Sequence, residues 1–90
     1  MANVRVPSML RPTVGGERSV VAEGATLREL IQNVEQRHPG FAGHLLESSG
    51  AQRQFVNIYV NDEDVRYLKG LDTAVSEGDV ISILPAVAGG

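Results

Sequence analysis

Hydrophobic and polar positions alternate near the start of the chain, where Val4 and Val6 flank Arg5. A period of two is the mark of a half-buried strand. Pro7 and Pro12 cannot donate to a ladder, so this first strand, within the segment from Asn3 to Leu10, is expected to end there or to run along an edge. Gly15-Gly16 marks a turn, and Ser19-Val20-Val21-Ala22 reads as a second strand, the two forming a hairpin with a long turn. Glu23-Gly24 breaks the second strand. The period then changes: Leu27, Leu30, Ile31 and Val34 fall at i, i+3, i+4 and i+7, one apolar stripe of a helix. Arg28, Glu29, Gln32, Asn33, Glu35 and Gln36 make its solvated face. Thr26 and Glu29 have the spacing of a capping box, and Pro39 with Gly40 stops the helix, so the spacing predicts a helix over Thr26 to Arg37.

Phe41 to Leu46 suggests a short second helical turn through Phe41, Leu45 and Leu46, and Ser48 to Gln54 is polar and loop-like. Phe55 to Val60 is β-branched and aromatic, with Val56, Ile58 and Val60 on one face. Asn61-Asp62-Glu63-Asp64 follows as a turn of residues that bond their own backbone. Leu71 to Val75 reads as a connector and Glu77-Gly78-Asp79 as another turn. Val80 to Leu84 is the last strand, with Ile81 and Ile83 facing the core and Val80, Ser82 and Leu84 facing outward. Pro85 ends it. The order predicts an α+β fold of the β-grasp type: a mixed sheet of four to five strands, one main helix across one face, and the last strand parallel to the first. The expected organisation is one domain over residues 1–84, followed by an extended, flexible tail over residues 85–90.

Composition narrows the function classes. The chain has 90 residues, 42% hydrophobic and 4% aromatic, so the core rests on Val, Ile, Leu and Ala. The formal charge of −3 argues against non-specific nucleic-acid binding, which depends on neutralising phosphates. Cysteine is absent, which removes disulfides, thiolate metal sites and a cysteine nucleophile. No run approaches the ~20 apolar residues of a membrane span. Arg5, Pro7 and Arg11 interrupt any signal-peptide core, so a cytoplasmic location without membrane partners is expected. GxxxxGK[ST], HExxH, GxSxG and GxGxxG do not occur. His38 and His44 read as a helix-end and a loop residue, because a metal site needs further ligands. Asp62, Glu63 and Asp64 read as a solvated turn, not as a catalytic pair.

The final Gly89-Gly90 is different. With glycine at 10 of 90 residues, two at the very end arise from composition in about one chain in a hundred. Residues 85–90, fully extended, span at most ~20 Å, enough to probe another protein's active site. Glycine lets the backbone pass a narrow channel because it has no Cβ. The carboxylate of Gly90 is a poor electrophile until it is adenylated, and a persulfide donor then converts it to a thiocarboxylate. A frayed end is the plainer alternative.

The segments VNIYVNDEDVR, GLDTAV and ILPAVAGG, together with the opening VRVPSMLRPTVGG, resemble the ubiquitin-like sulfur carrier proteins. That family includes the small subunit of molybdopterin synthase and the thiamine sulfur carrier. The wording is most similar to the sulfur carriers of actinobacterial cysteine synthesis. The resemblance implies a protein cosubstrate and not an enzyme, with Gly90 carrying sulfur as a 1-thioglycine and Val87, Ala88 and Gly89 as the approach. It implies partners that hold the cofactors. An adenylyltransferase related to ubiquitin-activating enzymes uses ATP and Mg²⁺, and a sulfurtransferase delivers the sulfur. A pyridoxal-phosphate cysteine synthase accepts it on an aminoacrylate, and a metalloprotease releases the product. The chain itself binds no cofactor or metal in this reading. Lys69 is the sole lysine, and the tail AVAGG is apolar where a ubiquitin-type tail is basic. The alternatives left open are a molybdopterin synthase small subunit and a β-grasp interaction module or protein modifier that is never thiolated. Leu84 and Val80, outward beside the root of the tail, are the expected docking residues for the activating enzyme, unless a neighbouring loop covers them.

Overall fold

A computed structural model describes residues 1–85; the expected sulfur-bearing tail, with Val87, Ala88, Gly89 and Gly90, lies outside the described residues. Five strands, β1 (Ala2–Arg5), β2 (Ser19–Ala22), β3 (Val56–Val60), β4 (Glu63–Asp64) and β5 (Val80–Pro85), form one sheet in the order β2-β1-β5-β3-β4. β1 and β5 run parallel, pairing Asn3 with Val80 and Arg5 with Ser82, and the other neighbours are antiparallel. The mixed β-grasp sheet with its last strand parallel to its first is as expected from the sequence. β1 is an interior strand and not an edge, and it stops at Arg5, before Pro7, with one further bond from Val6 N–H to Arg18 O at 2.9 Å.

The helix α1 (Leu27–Arg37) buries the predicted stripe of Leu27, Leu30, Ile31 and Val34 against the sheet residues Val4, Ile58, Ile81 and Ile83. Thr26 caps it, its hydroxyl oxygen accepting from Glu29 N–H at 3.3 Å. Glu29 reaches back to Ala25 N–H at 3.5 Å, one residue beyond the standard box. Gly24 sets how closely the helix approaches. A Cβ there would lie 2.5 Å from the Leu30 backbone nitrogen and 2.7 Å from its Cα, so only glycine fits.

Three segments depart from the pattern-based expectation. The long turn after β1 is a 3-10 helix, Ser8–Val14, that buries Leu10 and Val14 under the sheet. Arg11 Nε donates to Val6 O at 3.1 Å, and Gly15 and Gly16 close the turn with left-handed dihedrals. The expected turn after β3 is a two-residue hairpin. Asn61 and Asp62 both have positive φ, at 50° and 72°, the twist of a type I′ turn, and this frees Glu63 and Asp64 to form β4. Glu35, assigned to a solvated face, instead holds the segment after the helix. Its carboxylate accepts from Gly40 N–H and from Ala42 N–H, the latter at 2.8 Å. These backbone donors keep its pKa below the ordinary 4.5. They steer Phe41 and Leu45 into the core around the short 3-10 helix Ala42–His44.

Replacing Gly24 with Ala should lower stability by about 1–3 kcal/mol, because the clash is with backbone that cannot rotate away; urea unfolding measures it. The pH dependence follows from Glu35. Its folded pKa is depressed, so its contribution is complete above the unfolded value and is lost as pH falls through the folded one. The melting-temperature gap between the parent and Glu35→Gln should therefore be widest near neutrality and close as the pH drops below 4.5.

Candidate functional site

The last strand occupies the middle of the sheet, between β1 and β3, so its outward residues sit at the centre of the face opposite α1. Ile81 and Ile83 are buried, as their alternation requires. Ser82 lies in register with Arg5 on one side and Tyr59 on the other, which makes a cross-strand row on the outer face.

The start of β5 is held by a side-chain lock. Asn61 donates through its amide nitrogen to Asp79 Oδ1 at 2.9 Å, and its amide oxygen accepts from Val80 N–H at 2.9 Å. Asp79 Oδ2 accepts from Ser76 N–H at 2.8 Å. That backbone bond first, and the Asn61 amide second, hold the Asp79 carboxyl below its ordinary 3.8, so it stays ionised. The end of β5 is pinned differently: the pairing to β1 finishes at Ser82, whereas the pairing to β3 continues through Leu84 opposite Asn57 to Pro85 opposite Val56.

The two expected docking residues are not equivalent. Leu84 is 53% exposed, large and apolar, and no loop among the described residues covers it. It borders an open groove of about 400 Å³ whose walls include Arg5, Pro7, Tyr59, Asp62 and Ser82. Val80 is half-buried, lies ~13 Å away by strand rise, and is flanked by Asn3 and Asn61 instead of by the groove. The two do not form a continuous patch, and the exposed apolar surface centres on Leu84. Phe55, just before β3, is 60% exposed and was not singled out by the sequence pattern. Arg5, Pro7 and Tyr59 also escaped notice, because their proximity to Leu84 arises only from the β1–β5 and β3–β5 registers.

The surface offers shape and contact more than reactivity. Among the described residues, no group of three His, Cys, Asp or Glu side chains gathers where it could hold a metal ion. His38 caps the helix end and His44 closes the following 3-10 helix. Among the described residues, no helix is long and apolar enough to cross a membrane.

Comparison with known proteins gives the face its context. The family model described as ThiS family matches residues 4–90. The chain is 51% identical over 89 residues to the sulfur carrier protein CysO of Mycobacterium tuberculosis, covering 97% of this chain and 96% of that protein. The crystal structure of that CysO superposes with a TM-score of 0.92 at 47% identity, covering 97% of this chain and all of the other. The CysO in a crystal structure of the Amycolatopsis orientalis BexX/CysO complex is similar over the full length of both chains, at 49% identity and a TM-score of 0.94. A β-grasp domain matched over residues 4–90 by the family model, and nearly end to end by sulfur carrier proteins, belongs to the ThiS family: the chain is a sulfur carrier protein, a substrate of partner enzymes and not itself a catalyst.

Proposed function

We propose that the carboxylate of Gly90 is the group that carries sulfur, and that the outer face around Leu84 is where the activating enzyme docks. The observation that carries this reading is the position of β5. It runs through the centre of the sheet beside the one exposed leucine of the strand and the open groove, and Val87, Ala88, Gly89 and Gly90 follow it in sequence. The family match extending through Gly90 supports the assignment of the terminus.

In the proposed cycle, an adenylyltransferase partner uses ATP and Mg²⁺ to convert the Gly90 carboxylate to an acyl-adenylate, releasing pyrophosphate. The terminal sulfur of a donor persulfide displaces AMP, and a thiol cleaves the resulting acyl disulfide to leave the thiocarboxylate. The charge and cofactors of these steps belong to the partners; this chain supplies a substrate atom at the end of a backbone slim enough to enter a closed site. A pyridoxal-phosphate cysteine synthase is the proposed acceptor, with a metalloprotease releasing the new cysteine, all in the cytoplasm. The similarity to CysO proteins supports that acceptor. The docking contact is a small apolar anchor with a polar rim, the anatomy of a transient interface: Leu84 at its centre, with Arg5, Tyr59 and Asp62 around it.

Removing Gly90, or adding a residue after it, should abolish loading and leave the circular dichroism spectrum unchanged, because no core side chain is lost. Intact-protein mass spectra read the exchange of one oxygen for sulfur, and normal thiocarboxylate formation by the truncated chain would refute the assignment. Leu84→Arg should raise the KM for the carrier in adenylation about tenfold or more, the loss of one buried apolar anchor, at a nearly unchanged melting temperature. Stability falling in step with activity would instead make Leu84 a core residue.

A further inference from the structure

Arg66 sits in the 3-10 turn Val65–Tyr67 that follows β4, two residues after Asp64, and its side chain is among the most heavily bonded described. Asp64 Oδ1 accepts from its backbone N–H at 2.9 Å and fixes the turn. Its guanidinium donates through Nη2 to Val56 O at 2.8 Å, Gln54 O at 3.0 Å and Arg53 O at 3.4 Å, and through Nη1 to Asn57 Oδ1. Gln52 adds a second donor to Val56 O at 2.7 Å. All these acceptors lie in the segment that enters β3.

That segment is also what holds the end of β5. Bonded and non-bonded pairs alternate along an antiparallel ladder. Asn61 N–H donates to Val80 O at 2.8 Å, so counting down the register makes Tyr59–Ser82 and Asn57–Leu84 the bonded pairs. Asn57–Leu84 is therefore the last pair that exchanges bonds before the tail. Val56–Pro85 is a non-bonded pair, which suits a proline with no N–H and turns Val56 O outward, where Arg66 and Gln52 take it. β4 covers the far side of β3 only at Tyr59 and Val60. Beyond them, the outer edge of β3 at Val56 and Asn57 is covered by the Arg66 fork and Gln52, while β1 has already ended opposite Ser82.

We infer that Arg66 is a positioning residue for the sulfur-bearing terminus: it braces the outer edge of β3 so that the Asn57–Leu84 pair stays closed and β5 holds its course to Pro85. Without the brace the ladder opens back toward Ser82, and the residues that follow Pro85 in sequence lose their fixed point of departure from the sheet. A planar fork is needed, because one guanidinium here serves several separate acceptors, and the point charge of a lysine reaches fewer of them.

The role in loading rests on the reading of Gly90 as the sulfur-bearing residue; the brace itself does not. The test therefore has two arms on the full chain, with Arg66→Ala and Arg66→Lys. In the first, amide hydrogen exchange at Asn57 and Leu84 should accelerate at least about tenfold in both variants, with the amides of Ile31 and Val34 in α1 unchanged. Unchanged exchange at Asn57 and Leu84 overturns the brace, and acceleration throughout α1 as well overturns its locality. In the second, adenylation by the activating enzyme should lose roughly ten- to a hundredfold, carried by kcat, because the terminus is less often aligned; the Leu84→Arg defect lies in KM instead. Accelerated exchange with undiminished kcat overturns the role in presenting the tail. A parent chain that takes up no sulfur refutes the assignment of Gly90, and the exchange arm still decides the brace.

Discussion

The pairing of the first strand with the last is the contact on which the rest of the domain depends. β1 and β5 are almost the whole chain apart in sequence and lie side by side, so no local segment can form the central sheet by itself. Closing a loop of that length costs conformational entropy that grows only slowly with length, and the return is a five-stranded sheet with one buried face. Val4 and Ile81 face each other across that pairing at the centre of the core, with α1 laid over both. Every feature of the candidate site follows from it. β5 is central because β1 takes one of its edges and β3 the other, so that Ser82, beside the exposed leucine, has a strand neighbour on either side.

The elements with a repeating pattern were legible in the chain. The four apolar positions of α1, the threonine cap, the proline stop and the alternation of β3 and β5 each state a periodicity that burial must satisfy, and the molecule satisfies them. The Ser8–Val14 helix was not legible, because Pro12 was weighed as a strand breaker. The pairing of Leu10 with Val14, four apart and both buried, was the available signal. Glu35 and Arg66 were invisible for a deeper reason. Each binds backbone groups, and backbone groups carry no signature in the sequence. A polar side chain on a helix face or in a turn looks solvated until the fold shows which carbonyls or amides it meets.

The site divides along the same line. Gly89 and Gly90 could be proposed from the sequence because the signal is local, a residue type at the end of the given chain. Alternation placed Leu84 and Val80 on one face but said nothing of which neighbours each would have, and the registers separate them. Leu84 falls beside the groove and Val80 between two asparagines. The residues that shape the groove come from three strands, so no stretch of sequence contains it.

The central placement of β5 also has a mechanical consequence. A partner that draws the end of the chain into a deep site pulls along the axis of the strand. Tension along that axis loads the ladders to β1 and β3 in shear, several bonds at a time, whereas an edge strand would have a single ladder to bear the same load. The Asn61–Asp79 lock at the far end of β5 anchors the strand against sliding. On the proposed reading of Gly90, such a domain would hold its shape while a partner grips its terminus.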